Sequence, residues 1–137
     1  MTHEEKRLYL IKTLLAEHQR YRNIEIPAEE QRQKDLLRSL MNVRLPAPVS
    51  DEYIEIESDY LKEETAAKGI ARLTDLTPVE DGIYLWQGDI TTLECDAIVN
   101  AANSQMLGCF QPLHNCIDNP IPLQITRDFS SFTKASA

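Results

Sequence analysis

Cys109, His114 and Cys116 are the residues of this sequence whose types and spacing most clearly suggest chemistry. They lie close together in a segment that also contains Gly108 and Pro112 and shows no helical periodicity. Thiolate and imidazole are ligands that zinc prefers, and three protein ligands leave the fourth tetrahedral position open for water or a substrate. Because the spacing is not that of a standard zinc finger, two ordinary thiols beside a surface histidine remain the alternative.

The same segment also allows catalysis without a metal. Cys109 or Cys116 could act as a nucleophile with His114 as its base, although the sequence identifies no residue that would orient the histidine. Asp118 follows shortly after the cluster. Its carboxylate could serve as a base, orient a ligand histidine or cap a helix, and the sequence leaves these roles open.

Asp89 is a candidate binding residue because it follows a predicted strand. The apolar residues 83–86 come directly after the turn signal Asp81-Gly82, which indicates a strand. A carboxylate at the end of a strand can accept hydrogen bonds from a base edge or a ribose, and the small Gly88 lets the backbone approach a ligand. A Gly-Asp pair is also common in simple turns, which is the alternative.

Asn100 and Asn103 form a second polar motif, Asn-Ala-Ala-Asn, after the apolar residues 97–99. This continuous run predicts a strand buried on both faces. Ligands commonly bind at the carboxyl ends of such strands, and each amide offers both a donor and an acceptor to sugar hydroxyls. The alternative is a loop in which asparagine only tolerates unusual backbone angles.

The elements that must position these residues begin with two predicted helices. Thr2 and Glu5 have the form of a capping box at the start of an amphipathic helix that runs to about Tyr21. A second helix is predicted to begin at Pro27 and to end before the prolines at positions 46 and 48. The two should pack as a hairpin through the apolar positions Leu8, Ile11, Leu14, Leu15, Leu36, Leu37, Leu40 and Met41.

The segment after the hairpin is rich in acidic residues, which predicts a solvated face. Ser58 is expected to cap a short helix that stops near Gly69. At the other end of the chain, the residues after Pro120 have no helical or strand period. They are expected to form a loosely ordered tail.

Length, charge and cysteine content narrow the class of protein. The 137 residues suit one small domain with an appendage, and a net charge of −8 makes nucleic acid an improbable partner. The N-terminus does not resemble a signal peptide, and no apolar run approaches the roughly 20 residues that a bilayer requires, so we expect no membrane partner and a cytoplasmic location. Cys95 lies between two acidic residues, which disfavours a reactive thiol, and we expect it to be at least half-buried.

Taken in order, the motifs GDIT, DAIVNAAN and LGCFQPLHNCIDN resemble the start of a macrodomain, specifically the zinc-containing bacterial branch of protein-ADP-ribose hydrolases. The helical N-terminus also resembles that branch, so the likeness covers roughly residues 1–119. The resemblance implies an α/β protein. Residues 1–80 would be a mainly helical extension, 81–119 the first part of an α/β/α sandwich with the ADP-ribose and zinc motifs, and 120–137 a divergent tail.

The resemblance also implies a role for each motif residue. Asp89 would bind the adenine, with Ile90 beside it, and Asn103 would contact the distal ribose near the scissile bond. The other residues implied in binding ADP-ribose are Asn100, Ile117 and Asp118, with Asn103 and Asp118 as the catalytic candidates and Cys109, His114 and Cys116 as ligands of Zn²⁺. The implied reaction removes ADP-ribose from mono-ADP-ribosylated proteins, with zinc orienting the distal ribose or activating water.

The sequence departs from the macrodomain pattern after these motifs. A macrodomain continues into a longer parallel sheet and a second glycine-rich loop that cradles the diphosphate. The chain has four glycines, and none follows Gly108. We therefore expect a truncated or frame-shifted macrodomain with impaired activity and exposed apolar surface. The alternatives are a non-catalytic ADP-ribose-binding module and a zinc-stabilised interaction fragment.

Overall fold

The computed structural model describes residues 1–45, 47–99, 101, 104, 109–114 and 116. Within this part of the chain the helices come first and short strands follow, as expected for a mixed α/β protein. None of these helices is long and apolar enough to cross a bilayer. The helices are α1 (His3–Glu17), α2 (Glu30–Val43) and α3 (Asp51–Lys68), and the strands are β1 (Ala71–Arg72), β2 (Pro78–Glu80), β3 (Ile83–Tyr84) and β4 (Leu93–Glu94).

Helix α1 begins with the predicted capping box. The Thr2 side chain accepts a hydrogen bond from the Glu5 amide at 3.2 Å, and the Glu5 carboxylate accepts one from the Thr2 amide at 2.7 Å. These bonds satisfy two backbone donors that the start of a helix leaves unpaired. The helix ends at Glu17, earlier than predicted, because His18 has extended backbone angles (φ −121°, ψ 124°).

Helix α2 starts at Glu30 and not at Pro27, where the sequence predicted its start. Pro27 lies in the irregular chain before the helix, where its carbonyl accepts a hydrogen bond from the Gln33 side chain at 2.7 Å. Leu37 and Leu40 are buried against α1, which confirms the predicted hairpin.

Helix α3 is one continuous helix, where the sequence predicted an acidic segment followed by a shorter helix. Ser50, not Ser58, is its cap, with a side chain that accepts a hydrogen bond from the Tyr53 amide at 3.2 Å. Gly69 ends the helix as predicted, with a positive φ of 88° that suits glycine.

The acidic face of α3 is not wholly solvated, which corrects the sequence-based expectation. Glu57 is buried and accepts a hydrogen bond from the Tyr53 hydroxyl at 3.2 Å. Tyr53 and Tyr60 lie two helical turns apart and are buried in the core that α3 forms mainly with α1. In the part of the chain that the structure describes, the buried hydrophobic residues all belong to the three helices and are Leu10, Ile11, Leu14, Leu15, Leu37, Leu40, Tyr53 and Tyr60.

The strands form two separate pairs. Strands β2 and β3 are antiparallel across the turn at Gly82, whose φ is 73°, so the strand predicted from Ile83 is confirmed for its first two residues. Strands β1 and β4 are parallel, with Ala71 opposite Leu93.

The strand predicted for residues 97–99 is wrong, because these residues lie in irregular chain. Val99 is 92% exposed, and Cys95, expected to be at least half-buried, is exposed as well. A strand with apolar residues on both faces requires layers on both sides. The described residues provide only the two-residue pairing of β1 with β4 next to this segment.

Candidate metal centre

Cys109, His114 and Cys116 converge on one point, as the sequence predicted. Their ligand atoms all lie within 4.8 Å of one another. The Cys109 sulfur is 3.4 Å from His114 Nδ1 and 3.5 Å from the Cys116 sulfur. This sulfur–sulfur separation is far longer than the roughly 2.05 Å of a disulfide, so Cys109 and Cys116 are not joined by one.

Two of the three distances between donors are close to those around a tetrahedral metal ion, and the third is within 4.8 Å. Zinc bonds of about 2.3 Å to sulfur and about 2.05 Å to nitrogen place two tetrahedral donors roughly 3.6–3.8 Å apart. The two measured separations are within a few tenths of an ångström of that range. The cysteines are half-buried and His114 is exposed, so the three donors can hold an ion that remains accessible from the histidine side.

The loop that carries these donors has an unusual backbone. Phe110 and Leu113 have φ values of 53° and 54°, and the His114 amide donates to the Gln111 carbonyl at 3.3 Å. A side chain in this left-handed conformation costs about 1–2 kcal/mol, and such strain persists only where the surroundings enforce it. Two bends of this kind bring His114 back towards Cys109.

Helix α2 provides part of those surroundings. The Asn42 side-chain amide donates to the Gln111 carbonyl, and the Arg38 guanidinium donates to the His114 carbonyl, each at 3.4 Å. Sequence reasoning missed both residues. Their only sequence signal is a spacing of four, which places two donors on one face of a helix.

Asp89, predicted to bind adenine, already has partners within the chain. One carboxylate oxygen accepts hydrogen bonds from the Thr91 amide at 3.1 Å and the Thr91 hydroxyl at 2.6 Å. The other oxygen lies 2.9 Å from the Lys68 ammonium group. The Thr91 hydroxyl and then Lys68 hold the pKa of Asp89 below its usual value. Asp89 also caps the short 3-10 helix Ile90–Thr92. This is the turn role that the sequence offered as the alternative, and the lowered pKa keeps the carboxylate ionised.

The Trp86 ring packs against the backbone of Gly88. A Cβ atom at this position would lie 2.3 Å from the ring, so a larger side chain would clash with it. The indole thus fills the space beside Gly88 that the sequence analysis expected a ligand to approach. The other predicted site residues, Asn100, Asn103, Ile117 and Asp118, lie outside the described residues.

No protein-family model matches the chain, but comparison with individual known proteins finds clear relatives. A protein-ADP-ribose hydrolase of Treponema medium is 53% identical over 125 residues, which cover 88% of this chain and 48% of that protein. One of Staphylococcus aureus (strain MRSA252) is 45% identical over 114 residues, covering 82% of this chain and 42% of that protein. The chain is a homologue of the protein-ADP-ribose hydrolases. The predicted resemblance to protein-ADP-ribose hydrolases is thereby confirmed.

The matches cover most of this chain but a smaller share of each relative. The chain spans less than half the length of the two curated hydrolases. A probable bifunctional ADP-ribose hydrolase/ADP-ribosyltransferase of Fusarium oxysporum f. sp. cubense is 42% identical over 97 residues, which are 63% of this chain and 16% of that protein. The same segment therefore occurs in proteins of very different length.

Proposed function

We propose that the chain carries the zinc site and part of the ADP-ribose site of a hydrolase that removes ADP-ribose from mono-ADP-ribosylated proteins. The observation that carries the proposal is the convergence of Cys109, His114 and Cys116 in a homologue of protein-ADP-ribose hydrolases. Residues 81–119 would be the first part of a macrodomain α/β/α sandwich, residues 1–80 its helical extension, and residues 120–137 a divergent tail. An odd number of cysteines, three, suits the reducing cytoplasm, which is the location we propose.

Each motif residue has a proposed role in this reaction. Asp89 and Ile90 would contact the adenine, Asn100 and Asn103 would bind the distal ribose, and Asp118 would line the ligand together with Ile117. Water adds to the anomeric carbon of the distal ribose, and the bond to the modified side chain breaks. In this proposal Asp118 would be the base that takes the proton from that water, while the leaving side chain gains one.

The three-ligand cluster would hold zinc beside the ribose. A bound zinc ion supplies a Lewis acid that can orient the distal ribose or make water more acidic. Cys109 and Cys116 would bind as thiolates and His114 as a neutral imidazole, so the ion would be held with two negative protein charges.

The experiment that tests the proposal begins with purified chain of known zinc content. Calorimetric titration with ADP-ribose should show binding, and the chain should release ADP-ribose from a mono-ADP-ribosylated protein. Asn103→Ala should slow the release of ADP-ribose but keep its zinc. Cys109→Ala should lose both its zinc and the release activity. Stoichiometric zinc without any ADP-ribose binding would defeat the proposal. Unchanged release in both variants would defeat the assignment of the site.

A second candidate function is a zinc-stabilised interaction module. It is favoured by the contacts of the metal loop with α2, because they join the loop to a helical unit that has its own core. This candidate predicts zinc binding that raises the thermal stability of the chain, with no heat of ADP-ribose binding.

A further inference from the structure

The loop of residues 109–114 is docked on one face of α2. Arg38 and Asn42 lie one helical turn apart and donate hydrogen bonds to the carbonyls of His114 and Gln111. The sequence separations of these pairs are 76 and 69 residues, so the contacts are tertiary. They join the candidate metal centre to the helical N-terminus of the chain.

Asn42 is held between the helix and the loop. Its side chain is only 7% exposed, and its amide nitrogen donates to the Gln111 carbonyl. Among the described residues its buried Oδ1 atom accepts no hydrogen bond. A buried amide that loses its partner carries a desolvation penalty. The Gln111 carbonyl therefore stabilises Asn42, and Asn42 in turn stabilises the loop.

Phe110, next to the ligand Cys109, faces the end of the α1–α2 hairpin. It lines a cavity of about 290 Å³ there, together with Leu14, Tyr21, Leu40 and Val43. The loop thus meets the helical unit at this cavity as well as through the hydrogen bonds that the Gln111 and His114 carbonyls accept from α2.

We propose that α2 is a template that presets the metal loop. Arg38 and Asn42 are positioning residues, and they keep the left-handed bends at Phe110 and Leu113 in place before an ion binds. A preset loop gives tighter binding because less conformational freedom is lost when the metal arrives. This inference rests on the proposed zinc site and adds that the affinity of the site depends on the helical extension.

The test measures zinc affinity by competition with a chromophoric chelator, using the full chain and the variants Arg38→Ala, Asn42→Ala and the double variant. Residues that orient metal ligands from outside the coordination sphere typically change affinity by about 10- to 100-fold, and we expect a loss of that size in the double variant. Arg38→Lys should recover part of the affinity, since an ammonium group can still donate to the His114 carbonyl.

A matched control lies on the same helix. Arg32 is exposed and pairs with Glu29 at 3.1 Å within the local turn, so Arg32→Ala should leave zinc affinity unchanged. Helix content and thermal midpoint are recorded for every metal-free variant. If Asn42→Ala loses helix content, the comparison of Arg38→Ala with Arg38→Lys and Arg32→Ala decides the question.

The possible outcomes separate the inference from the proposed function. Stoichiometric zinc with equal affinity in all variants overturns the template and leaves the metal centre intact. An equal loss in Arg32→Ala also overturns it, because the effect would then be a general one on α2. A chain that binds no zinc overturns both proposals. A further expected result is that zinc raises the thermal midpoint of the double variant by less than that of the unmodified chain, because coupling between loop and helix is reciprocal.

Discussion

At the scale of single residues, Asp89, which we propose to contact the adenine, is already used by the fold. It caps the 3-10 helix with one oxygen and pairs with Lys68 through the other. A base edge that reaches this carboxylate would have to compete with these partners or share them. The partners therefore control both the charge of Asp89 and its availability.

The pKa of Asp89 tests this arrangement. The hydrogen bond from the Thr91 hydroxyl is the largest single cause of its lowering, and Lys68 lowers it further through a hydrogen bond and its charge. We expect Thr91→Val and Lys68→Met each to raise the pKa of Asp89, as followed by carbon-13 NMR of the carboxyl group during a pH titration. Thr74→Val, in another turn, is the control and should leave the pKa of Asp89 unchanged. An unchanged pKa in Thr91→Val or in Lys68→Met would contradict the assigned causes.

The left-handed bend at Leu113 gives a second prediction for a single residue. Glycine adopts this conformation without strain, whereas a β-branched residue is strained more than leucine. Leu113→Gly should keep zinc affinity within about threefold, because the relieved strain of about 1–2 kcal/mol offsets the greater freedom of the unfolded loop. Leu113→Val should weaken binding by about tenfold, which is roughly 1.4 kcal/mol. Chelator competition measures both, and equal affinities of the two variants would contradict the bend.

At the scale of elements, the start of α1 is joined to the end of α3 by a polar cluster. The His3 ring lies between Glu63 and Glu64, with nitrogen–oxygen distances of 2.6 Å to each, and stacks on Tyr60 at 4.6 Å. Lys6 pairs with Glu63, and Lys34 of α2 pairs with Glu64 at 2.8 Å. The cluster thus ties all three helices together.

The cluster predicts a loss of stability in acid. Hydrogen bonds from Lys6 and His3 lower the pKa of Glu63, and for Glu64 burial raises the pKa but the bonds from Lys34 and His3 outweigh it. Groups with a lowered pKa stabilise the fold above their unfolded pKa of about 4.5, and this contribution disappears as pH falls through the lower folded pKa. Urea unfolding should therefore show a free energy that declines below pH 4.5.

The control for this prediction is on the same helix. Glu64→Gln should reduce the decline in acid, because one of the carboxylates responsible is gone. Glu55→Gln, at an exposed position of α3, should leave the pH profile as it is. A profile that is the same for all three proteins would mean that the cluster does not govern acid stability.

The sequence predicted those elements whose signals are local. The capping box of α1, the stop of α3 at Gly69 and the turn at Gly82 each depend on neighbouring residues. The continuity of α3 was missed because Glu and Asp surround the two tyrosines that face the core. The convergence of the Cys/His cluster was predicted from its short spacing. Its support by Arg38 and Asn42 was not, because contacts over 76 and 69 residues leave no local pattern.

At the scale of the whole molecule, stability and candidate chemistry occupy different regions. The core lies within the three helices, whereas the strands have two or three residues each and are largely exposed. Two-stranded pairs of this length are marginal by themselves. The helical unit should therefore determine the unfolding transition, while the segment that bears the motifs depends on its attachments to α2 and α3.

The exposed apolar hairpin at residues 78–85 provides the last prediction. Leu85 is 81% exposed, with Val79 and Ile83 also exposed on the same hairpin, whereas Leu10 is completely buried. Leu10→Ala should lower the free energy of unfolding by about 2–5 kcal/mol, since it leaves a cavity in the core. Leu85→Ser should leave the thermal midpoint unchanged and reduce concentration-dependent light scattering, because an exposed apolar strand favours association between chains. If Leu85→Ser instead unfolds the chain or leaves scattering unchanged, the hairpin is not the apolar surface through which chains associate.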